Sequence, residues 1–405
     1  MYKRQELGTR RGYEVGFPNA FHVGDYYRLK AIGKGHGAAV ICKKAADRIR
    51  QKGGRILFRT TLTEILKDEK GTVTGALAQD LTTGETFRIE AKAVVVATGG
   101  FNDNADMIKE HCGLTLTDKN CSGDGNVIFN HFTGSRLTGD GHQLVWAAGG
   151  AKGAIGCNGH AMVPGPGIVG DHCAWIVHNE LRTMQEQAYL WVKQYGQRFI
   201  CEEQSDNHMA MCTAVLNQPG KCGYMIFDQD TVEHMEREGV ERAYFIFDGN
   251  RLHHVRAQFE ELIQKGNRHV FLADSLEELC KQSGIEYEGL KAQVERYNSY
   301  CEQRYDEELA KDPLYLRPVK RGPFYAFRVY PGGYHAFGGI KIDGACRVLD
   351  EQQRPIPGLY SGGDCCAGEV FGNPPIGGIG WSTLSFAEGF VCGDEAAAFA
   401  KGEKE

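Results

Sequence analysis

Cys-x-x-Cys occurs nowhere in the 405 residues despite 14 cysteines, so neither a zinc knuckle nor a thioredoxin-type pair is written into the chain. Only Cys365 and Cys366 are adjacent; most of the cysteines are expected to be buried thiols of a reducing compartment, with no metal bound. No apolar run approaches the ~18 residues of a membrane span, so no membrane partner is expected. Proline is scarce, at 12 residues, and glycine follows no Gly-X-Y period, which excludes collagen and proline-rich disorder. A basic excess is also lacking: 46 Lys plus Arg against 52 Asp plus Glu leave a formal charge of -6, which argues against a nucleic-acid binder. Internal repeats and low-complexity tracts are absent.

Glycine is what the sequence has in excess, 53 residues or about 13% against a usual ~7%. The backbone must therefore approach something closely at many points. At roughly 150 residues per domain, the length predicts two or three domains and ample core. Met1-Tyr2-Lys3-Arg4-Gln5 has no n-region, h-region or cleavage site of a signal peptide. It reads as the translated remnant of a sequencing adaptor, and the expectation is a reading frame truncated upstream of about Glu6. The protein is expected to be cytoplasmic unless the lost part carried an export signal.

Helical spacing of Ala38, Ala39, Ala45, Ala46 and Ile49 predicts a helix over 34–50 that closes at Gly53-Gly54. Short apolar or alternating runs at 55–58, 62–66, 73–79 and 86–89, broken by Lys70-Gly71 and Thr83-Gly84, predict a β-meander. The run 92–101 is a buried parallel-type strand entering a double-glycine turn. A helix is expected from Gly139-Asp140-Gly141 through Ala148. Residues 151 to about 325 differ in character, with amphipathic helices at 275–283, where Ser275 and Glu278 fit a capping box, and at 287–309. From Gly332 onward the glycines return: a strand at 339–343, a hairpin through 348–355, a strand at 358–362 and a helix over 381–399.

Three glycine-rich turns, at 99–100, 139–141 and 362–380, border regular elements, the arrangement that lets backbone N–H groups and helix N-termini face a dinucleotide. The run Gly358 to Asp364 places a carboxylate at the carboxyl end of a strand, where a ribityl or ribose hydroxyl is commonly held. In this order, Ala97-Thr98-Gly99-Gly100-Phe101, Thr138-Gly139-Asp140-Gly141, His335-Ala336-Phe337-Gly338-Gly339-Ile340 and Gly358 to Asp364 with the Gly377-Gly378 helix start carry a family likeness. Residues from about 22 to 400 resemble the fumarate-reductase-like FAD-dependent oxidoreductases, the superfamily of soluble fumarate and urocanate reductases and 3-ketosteroid dehydrogenases.

The resemblance implies an α/β fold: a Rossmann-like FAD-binding domain, incomplete because its first βαβ is missing, with an inserted α+β substrate or capping domain. The expected division is 6–150 and 326–405 for the FAD-binding domain and 151–325 for the insert. FAD contacts are implied at Thr98, Gly99, Gly100, Phe101, Asp140, Gly141, Asp364, Gly377, Gly378, Ser382, Thr383 and Leu384. No apolar strand followed by Gly-x-Gly-x-x-Gly opens the chain, as it normally does in that family, and Gly33-x-Gly35-x-Gly37 lacks the preceding apolar strand.

Arginines that bind dicarboxylates in fumarate-type members would fall near Asp206 and Pro375, and neither is there. The tyrosine of ketosteroid-type members is also missing from Gly372-Asn373-Pro374-Pro375. His160 and His335 do match substrate-binding histidines. The catalytic candidates are thus His335 and His160 to polarise an acceptor group, with Asp206, His208 or Tyr334 to move a proton. Arg198 is expected in a supporting role. The expected activity is hydride transfer between flavin N5 and a C=C or CH–CH unit of an activated small substrate of enoate or enone type, with an electron donor or acceptor that the sequence does not identify. The alternatives are a flavin- or ligand-binding paralogue without turnover, and a gene fragment unable to hold FAD.

Overall fold

The computed structural model describes residues 37–117, 127–130, 137–163, 179–185, 187–206, 208–241, 251–371 and 381–403. They group into two compact units. One is built from 37–101, 137–156 and 336–403, the other from 102–117, 127–130 and the described part of 157–335.

In the first unit, the alanine-rich run forms the helix Gly37–Gln51. The meander then consists of strands Thr60–Lys67, Val73–Asp80 and Thr86–Glu90, all antiparallel, with Leu62 opposite Ala78 and Ala78 opposite Phe87. Its turns are tied by aspartates: Asp68 accepts from the N–H groups of Lys70 and Thr72, each at 2.9 Å, and Asp80 from that of Thr82 at 2.7 Å. Residues 55–58, expected as a strand, are irregular. Arg59 has φ 53°, which breaks the run, and Leu57 and Phe58 are exposed with no face to bury.

A second sheet in this unit carries the site. Arg347–Leu349 and Pro355–Ser361 form the expected hairpin, and Val94–Val96 lies parallel to Pro355–Ser361. Of the expected strand over 92–101, only these three residues pair. Ile65, Val73, Val96, Val145, Ile340, Val348, Leu359 and Cys365 bury together as the core that joins the two sheets and the helix Asp140–Ala147.

The other unit is organised on the strand Phe324–Ile340, whose chain continues into the first unit. It pairs antiparallel with Gly223–Phe227 (Phe327 opposite Met225) and Val270–Ala273, and parallel with Val127–Asn130 (Gly332 opposite Phe129). The glycine pair 332–333, flanked by Tyr330 and Tyr334, is locally a turn signal. In the structure this is continuous strand, because partners on neighbouring strands take up its backbone groups and Tyr325, Phe327 and Val329 bury in the core.

The helix Leu276–Ser283 starts as its capping box predicts, with Ser275 Oγ accepting from Glu278 N at 3.1 Å. The helix Tyr287–Gln303 ends short of the expected 309. Arg304 turns left-handed at φ 55°, and Asp306 is drawn into a buried ion pair.

Candidate functional site

Two parallel strands in the first unit end side by side: Leu359 lies opposite Val94, Tyr360 opposite Val95 and Ser361 opposite Val96. The chain leaves their carboxyl ends as two turns, 97–100 and 362–364, the position where open α/β sheets take their ligands. The turns are stitched together. Ser361 Oγ donates to Val96 O at 3.0 Å, Gly362 N donates to the same oxygen at 3.3 Å, and Cys365 Sγ donates to Gly99 O at 3.2 Å while lying 3.5 Å from Thr98 Oγ1. Burial pushes the Cys365 thiol up, so it serves here as a neutral donor. Gly99 and Gly363 sit at φ 78° and 77°, a left-handed backbone that a side chain would strain.

The final helix, Trp381–Lys401, supplies the third wall. Ser385, Gly389, Cys392 and Gly393 recur at helical spacing on one face, and with Val95, Ala97, Gly99, Gly362, Gly363 and Asp364 they line a cavity of about 360 Å3. That size falls in the roughly 300–1,000 Å3 range of small-molecule sites. A Cβ on Gly389 or Gly393 would meet nothing within 4 Å, so at these positions the missing side chains leave space rather than relieve a clash.

The helix Asp140–Ala147 closes on the same turn. A Cβ on Gly141 would stand 2.1 Å from Thr98 Oγ1, so the helix lies on the Thr98 side chain only because residue 141 has none. Asp140, in its first turn, is exposed. Phe101 is fully buried with its ring 5.4 Å from that of His142. His142 Nε2 is 2.8 Å from Gly338 O, and Trp146 Nε1 donates to Gly339 O at 2.8 Å, which fixes the Gly338-Gly339 backbone to this helix. Leu384 packs with Phe337 and Ala367.

The structure thus gathers Thr98, Gly99, Gly100, Phe101, Asp140, Gly141, Asp364 and Leu384 in one unit, with all but Asp140 and Leu384 on or beside the two strand-end turns. Gly377 and Gly378 lie outside the described residues. Ser382 and Thr383 belong to the first turn of the final helix, but their side chains are outside the described part. The same is true of the proposed catalytic side chains: His160 is in strand Lys152–Met162, Asp206 ends the short turn Glu202–Asp206, His208 opens helix His208–Leu216, and Tyr334 and His335 are in Phe324–Ile340. Sequence reasoning missed the packing roles of His142, Trp146 and Cys365 and the lining role of Ser385, Gly389 and Gly393. The four-residue spacing of 385, 389 and 393 is the signal that could have found the last three.

The turn that carries Asp206 is anchored from within its own unit. Arg198, fully buried, donates to Glu202 from Nε at 2.7 Å and Nη2 at 2.5 Å, and to Asp306 at 2.9 and 2.8 Å. Burial works against its charge, yet the hydrogen bonds and charges of Glu202 and Asp306 together raise its pKa. Lys311 Nζ reaches Tyr297 OH at 2.8 Å, Ala188 O at 3.0 Å and Glu202 at 3.2 Å. Among the described residues, no three His, Cys, Asp or Glu side chains are placed to hold a metal ion, and no helix is long and apolar enough to cross a membrane.

A family model described as FAD binding domain matches residues 7–381. The chain is 28% identical over 345 residues to the vinyl phenol reductase of Lactiplantibacillus plantarum, covering 83% of this chain and 66% of that protein. It is 27% identical over 366 residues to the urocanate reductase of Eggerthella lenta, covering 90% and 54%. In fold it is similar to the open conformation of a flavocytochrome c3 fumarate reductase, with a TM-score of 0.58 at 24% identity over 91% of this chain and 57% of that one. It is similar also to a 3-ketosteroid-delta4-(5alpha)-dehydrogenase of Rhodococcus jostii, with a TM-score of 0.61 at 20% identity over 89% and 64%. The chain spans about half to two thirds of the length of these relatives. The residues present fit the cofactor these matches indicate: a glycine-walled cavity at paired strand ends, with Asp364 on its rim, suits a dinucleotide that must lie against backbone.

Proposed function

Because the chain belongs to the FAD binding domain family, we propose that it is the FAD-holding part of an oxidoreductase that reduces or forms a C=C bond in an activated small substrate of enoate or enone type. FAD, when bound, supplies the two-electron chemistry as a hydride exchanged with the substrate carbon. The observation that carries this reading is the cavity at the carboxyl ends of Val94–Val96 and Pro355–Ser361, lined by glycine and Asp364. The turn Thr98 to Phe101, the helix start at Asp140-Gly141, and Asp364 orient the cofactor. His335 and His160 bind and polarise the acceptor group, and Asp206, His208 or Tyr334 transfers the proton that accompanies the hydride. The reductases among the relatives support the C=C class.

The test is reoxidation. Protein loaded with FAD and reduced anaerobically with dithionite is mixed with a panel of enoates, enones and steroids, and the flavin absorbance is followed. Reoxidation by at least one of them is expected, and His335→Ala should slow it at least ~100-fold with bound FAD unchanged. The missing arginines at Asp206 and Pro375 favour a second reading, binding without turnover, which a panel with no reoxidation would support.

A further inference from the structure

Glu388 stands apart from the small residues around it on the final helix. It is 6% exposed, although Ser385 and Gly389 beside it are exposed and line the cavity. Its Oε2 accepts from the N–H of Gly363 at 2.5 Å, and the Cys366 thiol points to the same oxygen at 3.6 Å. Its Oε1 is buried and has no hydrogen-bond partner among the described residues. The carboxyl group therefore holds the left-handed residue of the 362–364 turn with one oxygen and keeps the other behind the cavity wall. Resting on the FAD reading above, we propose that Glu388 is a positioning residue of the cofactor groove that couples FAD binding to the uptake of a proton.

Burial disfavours the ionised carboxylate unless hydrogen-bond donors offset it, and Glu388 has one N–H and a weakly donating thiol on Oε2 with no donor on Oε1 among the described residues. Among the described residues, the titratable groups that interact with it are Asp364 and Cys366 on the turn and Cys346 ahead of strand Arg347–Leu349. None is a cation. Burial first, and the Asp364 charge in addition, raise its pKa. FAD brings two phosphate charges to the same unit, and added negative charge favours the protonated acid further. The group's pKa is then higher in the complex than in the free protein. Affinity is full below the free-protein pKa and falls as pH rises from there to the pKa in the complex.

The experiment is a titration of FAD into the full chain, read by flavin fluorescence from about pH 5 to about pH 9, with calorimetry in two buffers of different ionisation enthalpy to count protons. The wild-type Kd is expected to rise about tenfold or more across that range, with proton uptake peaking at about half a proton per FAD or more within it. Glu388→Gln keeps a carbonyl for Gly363 N, so it should show a flat Kd near the wild-type low-pH value and no uptake. A flat wild-type Kd without uptake, or the same pH slope in the variant, overturns the proposal while leaving FAD binding intact. No FAD binding by the wild type at any pH overturns the FAD reading and this proposal with it.

Discussion

Gly141 shows how closely the site is built at the level of single atoms. A methyl group there would stand 2.1 Å from Thr98 Oγ1 and 2.9 Å from Val96 Cγ1, so Gly141→Ala forces either the helix or the 97–100 turn to move. Overpacking of this kind costs ~1–3 kcal/mol, and thermal unfolding should show the lowered Tm. Because the hydroxyl is the nearest atom, adding Thr98→Ala should recover part of the loss. A double variant no more stable than Gly141→Ala alone would mean the contact is relieved elsewhere. The sequence marked Thr98 and Gly141 as separate cofactor contacts. That they touch each other was not legible, because they are 43 positions apart and no local pattern records the approach of a helix to a strand end.

At the scale of elements, the turn Glu202–Asp206 is held by charge rather than by its own length. It is five residues of 3-10 helix, and Glu202 at its start is locked by Arg198 and Lys311. Removing one partner strands a buried charge, so Arg198→Met should cost ~3–5 kcal/mol. The loss is read as a lower urea midpoint; an unchanged midpoint would show that the network contributes nothing net. Gln197-Arg198-Phe199 was legible as a supporting site, but its partner Asp306 was hidden, since the helical pattern of 287–303 runs on past Gln303 in sequence. The same failure appears at 330–335. A glycine pair signals a turn locally, and only the strand Val127–Asn130 alongside makes it sheet. Where the signal was local, as in the meander, the Ser275 cap and the final helix, sequence and structure agree to within a few residues.

Across the whole molecule, lining residues from three separate stretches of sequence, 95–99, 362–364 and 385–393, converge on one cavity within one unit. The paired glycines and Asp364 were readable as candidate cofactor contacts because close backbone approach leaves a compositional trace. The cavity itself was not, since it is shaped equally by side chains that are absent from the final helix. Gly389 offers the most direct test. A Cβ there meets nothing within 4 Å and any non-glycine residue improves helix propensity, so Gly389→Leu should not lower Tm while filling the groove. When FAD is titrated into both proteins, the wild type should bind one FAD per chain saturably and the variant at least about tenfold more weakly, a difference of ~1.4 kcal/mol. Equal affinity in the two would place the cofactor outside this cavity and overturn the proposed site.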